Sequence, residues 1–134
     1  MKSEQYNIIW TSSWIALFPT IEAIKRKQYD LAFGTGLVFL TSINYWRNPI
    51  DSWRKDLVIF CVRSVALYQL YKSLITGKYT YLFFTVSGVM SYYIGLEYYK
   101  NNQTWVYTYC HMGLHILANM GNFCILDNDL KTKL

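Results

Sequence analysis

The sequence predicts an all-α fold, a polytopic integral membrane helical bundle of about five transmembrane helices in a single domain over residues 1–134. The chain is 53% hydrophobic and 19% aromatic but only 16% charged, whereas soluble domains average roughly 25% charged residues. Residues 5–21, 31–46, 79–96 and 101–126 contain no Asp, Glu, Lys or Arg. The polar joints between these stretches are too short to form an extramembrane domain.

The charge-free stretches have lengths that suit a bilayer. A helix rises ~1.5 Å per residue, so roughly 17–25 apolar residues cross a hydrocarbon core of ~30 Å. A further stretch, residues 57–71, is apolar except for Arg63. The predicted spans are therefore residues 7–24, 29–46, 55–71, 79–98 and 104–126. The alternative is a soluble bundle of buried helices, but helices without a charged outer face have no surface to present to water.

Helix-breaking or polar residues follow each of the first four spans. The basic run 25–27 ends the first span, Pro49 follows the second and Gly77 follows the third. The polar run 101–103 separates the last two spans. Such residues favour helix ends and turns, so they predict short connections between antiparallel neighbours.

Five spans place the amino terminus and the second and fourth loops on one side, the A face. The first and third loops and the carboxyl tail lie on the other side, the B face. The B face has more basic residues (Lys25, Arg26, Lys27, Lys72, Lys78, Lys131 and Lys133) than the A face (Lys2, Arg47, Arg54, Lys55 and Lys100). Because cytoplasmic loops are enriched in Lys and Arg, the carboxyl terminus is predicted to be cytoplasmic. Four tryptophans fall at A-face ends of the spans, as in an interfacial aromatic belt: Trp10, Trp46, Trp53 and Trp105.

The composition also limits the classes of partner that we expect. The net charge of +5 is distributed over short loops and not over one polar face, so nucleic acid is not an expected partner. All the cysteines, Cys61, Cys110 and Cys124, fall within predicted spans, which argues against a secreted disulfide framework. The expected partners are membrane lipids and either further copies of this chain or a larger membrane assembly.

Two histidines are the most specific chemical feature. His111 and His115 are the only histidines in the chain, and their spacing places both imidazoles on one face of the last helix. This is metal-ligand geometry, and an ionisable pair within a bilayer is a functional-site hypothesis by default. The alternative is that both rings are neutral and bond to neighbouring helices. Ser42 and Asp56 are predicted to lie in the same leaflet as the histidines, near the A face.

A Ser late in the second span, an Asp early in the third and an H-x-x-x-H pair in the last resemble the CREST superfamily, which includes alkaline ceramidases and the adiponectin and progestin receptors. The matching residues are Ser42, Asp56, His111 and His115. The resemblance implies a zinc-dependent amide hydrolase that acts on lipids, in which histidines bind the metal while Ser42 and Asp56 assist the activated water.

This chain departs from the family pattern in two respects. It has five predicted spans and not seven, and the family histidine that follows the Ser is replaced by Asn44, Tyr45 or Trp46. A catalytic zinc takes three protein ligands and an open position for water. Asp56 or Cys110 is the available substitute for the missing ligand.

Two further polar residues lie inside predicted spans. Arg63 is expected to face protein or water, either in a structural set of hydrogen bonds or as a clamp for an anionic headgroup. Asn119 is expected to bond across a helix contact or to support His115. The sequence thus leaves two functions open: a CREST-like lipid hydrolase or an inactive relative of one, and a structural subunit of a larger assembly such as a virion membrane or an organellar complex.

Overall fold

The computed structural model describes residues 1–126, and all regular secondary structure within them is helical. The helices are α1 Ser3–Ser13, a 3-10 turn Trp14–Ala16, α2 Leu17–Lys25, α3 Tyr29–Trp46, α4 Trp53–Thr76, α5 Tyr79–Lys100 and α6 Thr104–Cys124. The predicted all-α class is confirmed. Lys131 and Lys133, which belong to the predicted basic carboxyl tail, lie outside the described residues.

The first predicted span is a rod of two α-helices joined by the 3-10 turn. Pro19 explains the interruption, because its ring clashes with the carbonyl four residues earlier and it has no N–H to donate. That carbonyl belongs to Ile15, at the centre of the turn Trp14–Ala16. Tightening to 3-10 geometry at this point keeps the backbone right-handed helical from Ser13 to Leu17, so that the chain continues directly as α2.

The first, third and fourth connections share one tight turn. In each, a residue with positive φ follows a helix: Lys27 at 58°, Gly77 at 71° and Asn102 at 62°. The next N–H then returns to a carbonyl five residues back, in the bonds Gln28 to Ala23, Lys78 to Ser73 and Gln103 to Tyr98, each 2.9 Å long. This Schellman-type closure caps one helix just before the next begins. The helices on either side of each of these three turns are therefore antiparallel neighbours.

The second connection, residues 47–52, is longer and is held by an arginine. Arg54 donates from Nη1 to the carbonyl of Asn44 and from Nη2 to that of Asn48, both at 2.9 Å. These carbonyls belong to the end of α3 and the residues after it, where a cation also complements the helix dipole. Arg54 thus fixes the angle at which α4 leaves α3.

The helices pack with α5 against α6 as the most extensive contact, α3 between α2 and α4, and α1 against α6 and α3. Glycines allow α5 and α6 to approach closely. A Cβ at Gly95 would lie 2.7 Å from the Cβ of Cys110, and one at Gly113 would lie 3.1 Å from Oγ of Ser91. Small residues at such contacts are typical of helix pairs in membranes.

Two apolar clusters lie at the two ends of the bundle. One is at the A face, where Ile9, Trp46 and Tyr107 form the centre, and the other is at the B face, around Leu31 and Tyr81. Between and beside them the buried side chains are largely polar: Gln5, Ser12, Ser13, Thr20, Gln28, Thr35, Thr41, Ser42, Gln69, Ser73, Thr108, His111 and Asn119. In the described part of the chain, one helix, Trp53–Thr76, is long and apolar enough to cross a membrane by length and composition.

Candidate polar site between the first and last helices

The two histidines lie on one face of α6, as their spacing predicts. Their ring centroids are 4.8 Å apart and the rings are nearly perpendicular, at 89°. His111 is buried, with 7% of its surface exposed. The two imidazoles have different surroundings: His115 meets a hydroxyl of α1, and His111 meets aromatic rings.

His115 is paired with Ser12, in the last turn of α1. Oγ of Ser12 lies 2.6 Å from Nδ1 of His115 and 2.9 Å from the carbonyl oxygen of Ile9, to which it donates. A hydroxyl has one proton, so when Ser12 donates to Ile9 the imidazole must donate from Nδ1 to Oγ. In this arrangement the proton of His115 is on Nδ1 and the lone pair is on Nε2.

His111 lies among aromatic rings. Its ring centroid is 4.9 Å from that of Trp46 and 5.6 Å from those of Tyr92 and Tyr107, all edge to face. Its Nδ1 is buried and has no hydrogen-bond partner within residues 1–126. The imidazole thus has close aromatic neighbours but no hydrogen bond at Nδ1, which leaves the polarity of that nitrogen unsatisfied.

An open cavity of about 330 Å³ lies at the A face, on the other side of these rings. Trp46, Tyr92 and Tyr107 contribute to its wall as well as contacting His111. The remaining lining residues are Met1, Tyr6, Tyr45, Pro49, Lys55, Leu96 and Tyr99. Lys55 provides a cation, and its Nζ is 3.5 Å from Oδ1 of Asp51. The rings separate this cavity from the histidines.

The other predicted catalytic residues lie on α3 and α4. Ser42 is buried in α3, and Asp56 is exposed in the first turn of α4. Within residues 1–126, no hydrogen bond joins either residue to a histidine ring. The convergence of Ser42 and Asp56 on the histidine pair therefore stays a prediction.

Asn119 and Arg63 also have defined surroundings. Nδ2 of Asn119 donates to the carbonyl oxygen of His115 at 2.7 Å, and its Oδ1 accepts from Nδ2 of Asn122 at 2.9 Å. Asn119 thus bonds within α6, to the backbone of His115 and not to its ring. Arg63 is exposed in the middle of α4 and makes no hydrogen bond or ion pair with the described residues.

The ligand set for zinc is incomplete in the described part of the chain. No group of three or more His, Cys, Asp and Glu side chains is placed there to hold a metal ion. Trp46, one of the three positions at which the family histidine is replaced, contacts His111 directly with an indole ring that binds no metal. The residues therefore do not fit the three-histidine site that the family resemblance implies.

Two contacts that hold α1 to α6 were not predicted from the sequence. Ser12 is one of several hydroxyl residues in a charge-free stretch, and nothing local pairs it with a residue 103 positions away. The second contact is from Nε2 of Gln5 to Oγ1 of Thr104, at 2.8 Å. The available signal was a Gln in the charge-free stretch 5–21, just before the predicted span 7–24, because such a side chain needs a partner when it is buried.

Comparison of the chain with family models, curated proteins and solved structures finds no match.

Proposed function

We propose that the protein is a multi-pass membrane subunit whose role is structural, and that its apolar outer surface contacts lipid and other membrane proteins. One observation carries the proposal: in the described part of the chain, polar residues are as frequent as hydrophobic ones at buried positions, and many large apolar side chains are exposed. Buried positions include thirteen polar residues, whereas side chains such as Phe33 (72% exposed), Phe60 (69%) and Phe83 (67%) point outward. Exposed apolar surface on this scale favours a membrane or partner environment.

The buried polar groups suit the same environment. Within hydrocarbon, hydroxyl and amide side chains bond across helices because there is no water to satisfy them. Oγ1 of Thr20 donates to Oγ1 of Thr35 at 2.9 Å between α2 and α3, and the hydroxyl of Tyr81 donates to Oε1 of Gln69 at 3.0 Å between α5 and α4. These bonds, with those of Gln5 and Ser12, join neighbouring helices without a large apolar core.

Tyrosine content lowers the hydropathy of α5. α5 has six tyrosines, mostly toward its two ends: Tyr79, Tyr81, Tyr92, Tyr93, Tyr98 and Tyr99. Hydropathy scales penalise the phenol, yet Tyr is enriched at membrane interfaces because the ring is apolar and the hydroxyl reaches water. This supports the proposal that α5 crosses the bilayer as well.

Arg63 favours a subunit over an isolated monomer. It is exposed halfway along α4, the helix best suited to span a membrane. A charged side chain at that depth needs a protein partner or water. We infer that another subunit, either a second copy or a different membrane protein, covers this face of α4 and supplies an acceptor to the guanidinium.

The experiment has two parts. The protein is expressed in its membrane, and the membranes are washed at alkaline pH: retention in the pellet is expected, and release into the supernatant would contradict the membrane proposal. Native mass spectrometry in mild detergent then compares wild type with Arg63→Leu and with Arg54→Leu. We expect wild type and Arg54→Leu to form an assembly larger than one 15.9 kDa chain, and Arg63→Leu to lose it. A monomeric wild type would contradict the subunit role.

A CREST-like lipid hydrolase is the second candidate, and the pairing of His115 with Ser12 favours it. When Nδ1 of His115 donates to the Ser12 hydroxyl, the lone pair of the imidazole is on Nε2. Histidines that bind metals are oriented by partners of this kind at their second ring nitrogen. Elemental analysis of protein purified without chelator separates the candidates. Metal-free folded protein is expected; one zinc per chain that is lost in His111→Ala and His115→Ala would instead support the metal site of the hydrolase candidate.

A further inference from the structure

The open cavity at the A face has no role in the structural subunit proposed above. Side chains from α1, α3, α4, α5 and α6 form its wall, so it exists only where these five helices meet. Its volume of about 330 Å³ lies within the ~300–1,000 Å³ that is usual for small-molecule sites. The wall is about equally polar and apolar, and five of the residues in it are tyrosines: Tyr6, Tyr45, Tyr92, Tyr99 and Tyr107.

Tyr107 is a buried residue of this wall whose hydroxyl has no partner. The residue is 8% exposed, and its ring packs in the apolar cluster with Ile9 and Trp46. The hydroxyl makes no hydrogen bond within residues 1–126, and its oxygen is not one of the fully enclosed polar atoms of that part of the chain. It therefore keeps surface that a molecule in the cavity can reach. Because a buried phenol usually finds a hydrogen-bond partner, an acceptor on a ligand would satisfy it.

Tyr45 and Tyr92 add two hydroxyls of the same kind. Both residues are half-buried, and in the described part of the chain neither hydroxyl has a hydrogen-bond partner and neither is fully enclosed. The Tyr107 hydroxyl interacts electrostatically with those of Tyr45 and Tyr92. Three O–H donors from three helices thus lie around one space.

Lys55 makes the wall of the cavity positive. Among the described residues that line the cavity, it is the only one with a charged side chain, and it interacts electrostatically with the hydroxyls of Tyr45 and Tyr92. Its Nζ is 3.5 Å from Oδ1 of Asp51, whose side chain is 89% exposed and does not line the cavity. Exposed ion pairs of this kind are weak, because water screens both charges. The ammonium therefore keeps donors for a ligand.

We propose that this cavity binds the phosphate group of a membrane lipid, which rests on the membrane proposal above. The phosphate oxygens accept from Nζ of Lys55 and from the three tyrosine hydroxyls, and such charge-assisted bonds are stronger than neutral ones. The apolar part of the wall, which includes Leu96, contacts the glycerol backbone of the lipid. A lipid is favoured over a free phosphate because the cavity lies at the headgroup depth that Tyr and Trp prefer, and because a phosphate ion would leave the apolar wall uncovered.

The first comparison is between two lipids that differ only in the phosphate. Purified protein in a neutral detergent is titrated with dioleoyl phosphatidic acid and with dioleoylglycerol, and binding is followed by native mass spectrometry and by the shift in thermal unfolding. Wild type is expected to bind one phosphatidic acid per chain, roughly tenfold or more tighter than dioleoylglycerol, the effect of a hydrogen bond to a charged group. Equal binding of the two lipids would overturn the proposal.

A matched pair of lysines tests the position of the cation. Lys100 also lies at the A face and is paired with a nearby carboxylate, since its Nζ is 3.4 Å from Oε2 of Glu97, but it does not line the cavity. Lys55→Gln is expected to weaken phosphatidic acid binding roughly tenfold or more, whereas Lys100→Gln should leave it nearly unchanged. Equal losses in the two variants would show that the attraction is one of general surface charge, and no site would remain.

The carboxylate that competes for Lys55 gives a test of opposite sign. Asp51→Asn leaves the wall of the cavity intact and frees the ammonium, so phosphatidic acid should bind roughly two- to fivefold more tightly, the size of an exposed ion pair. Glu97→Gln is the control and should have little effect. This test stands even if Lys55→Gln does not fold. Unchanged or weaker binding in Asp51→Asn would contradict the assigned role of Lys55.

The phenol hydroxyl is tested by removing one oxygen. Tyr107→Phe keeps the ring and is expected to weaken phosphatidic acid binding roughly three- to tenfold. Tyr109→Phe makes the same change at an exposed position of α6 outside the cavity and should have no effect. Equal binding by these two variants would remove Tyr107 from the site.

Two further measurements separate the remaining possibilities. Inorganic phosphate and glycerol 3-phosphate are not expected to displace phosphatidic acid at equal concentration; displacement by either would exclude a lipid as the ligand. Release of the protein from its membrane by alkaline washing would contradict the membrane proposal itself. A protein that stays in the membrane but does not distinguish phosphatidic acid from dioleoylglycerol contradicts only the lipid site.

Discussion

Oγ of Ser12 lies 2.6 Å from Nδ1 of His115, which joins the last turn of α1 to the middle of α6. Ser13, the next residue, is also buried, but its hydroxyl donates only to the carbonyl of Ile9 within its own helix, at 2.9 Å. Two adjacent serines therefore differ in one respect, which is a bond between helices. This difference makes them a matched pair for measuring what that bond contributes.

Ser12→Ala is expected to lower the free energy of unfolding by about 1–3 kcal/mol, because it leaves Nδ1 of His115 unpaired at a part-buried contact. Ser13→Ala is expected to change it by less than half as much. Unfolding in mixed micelles, followed by circular dichroism, measures both variants. Equal losses in the two would show that the bond between Ser12 and His115 has no special role.

The histidines are expected to respond differently to replacement by an aromatic ring. His111→Phe keeps an edge-to-face ring beside Trp46 and removes a buried nitrogen that has no partner, so stability should be unchanged or slightly higher. His115→Phe removes the Nδ1 donor from which Oγ of Ser12 accepts, and it should lower the free energy of unfolding by about 1–3 kcal/mol. A large loss in His111→Phe with retained stability in His115→Phe would contradict the assigned surroundings.

The contact between α5 and α6 is expected to tolerate no side chain at Gly95. A Cβ there would lie 2.7 Å from the Cβ of Cys110, so Gly95→Ala should cost about 1–3 kcal/mol through overpacking. Gly36→Ala is the control, since its Cβ would meet Cγ2 of Thr20 at an ordinary 3.4 Å. Adding Cys110→Gly to Gly95→Ala should recover part of the loss. The absence of any recovery would place the strain elsewhere.

The contact between Gln5 and Thr104 should appear as a pairwise coupling. Gln5→Leu and Thr104→Val each remove one partner of the 2.8 Å bond, and the double variant removes both. The coupling energy from the cycle is expected to be about 0.5–1.5 kcal/mol. Thr11→Val is a control because the Thr11 hydroxyl bonds within α1, to the carbonyl of Asn7. Additive effects of Gln5→Leu and Thr104→Val would contradict the contact.

The sequence was informative about helices because runs without charge and helix-breaking joints are local signals. The predicted segment 29–46 coincides with α3, Tyr29–Trp46. α4 continues to Thr76, five residues beyond its predicted end. Lys72 does not end the helix, because its half-buried side chain bonds to Asp30 of α3. The 3-10 turn before Pro19 was not predicted, since it depends on how the helix relieves one clash.

The candidate site could be predicted only in part. The common face of His111 and His115 follows from helix geometry, which is local. The partners of that face come from α1 and α3, and their identity depends on the order in which helices pack. Ser12 and Trp46 therefore could not be identified as contacts of the histidines from sequence. Whether Asp56 is exposed likewise depends on the rotation of α4 about its own axis. A segment with few charged residues does not show which of its faces turns outward.

The proposal that the chain crosses a membrane five times is tested most directly by labelling from each side. Single cysteines are introduced in a variant in which Cys61, Cys110 and Cys124 are replaced by Ser, at two exposed A-face positions (Asp51→Cys and Asn101→Cys) and two exposed B-face positions (Lys25→Cys and Thr76→Cys). In sealed vesicles, an impermeant maleimide is expected to label one pair from outside and the other pair only after the membrane is opened. Labelling of all four from the same side of intact vesicles would contradict the five-span account.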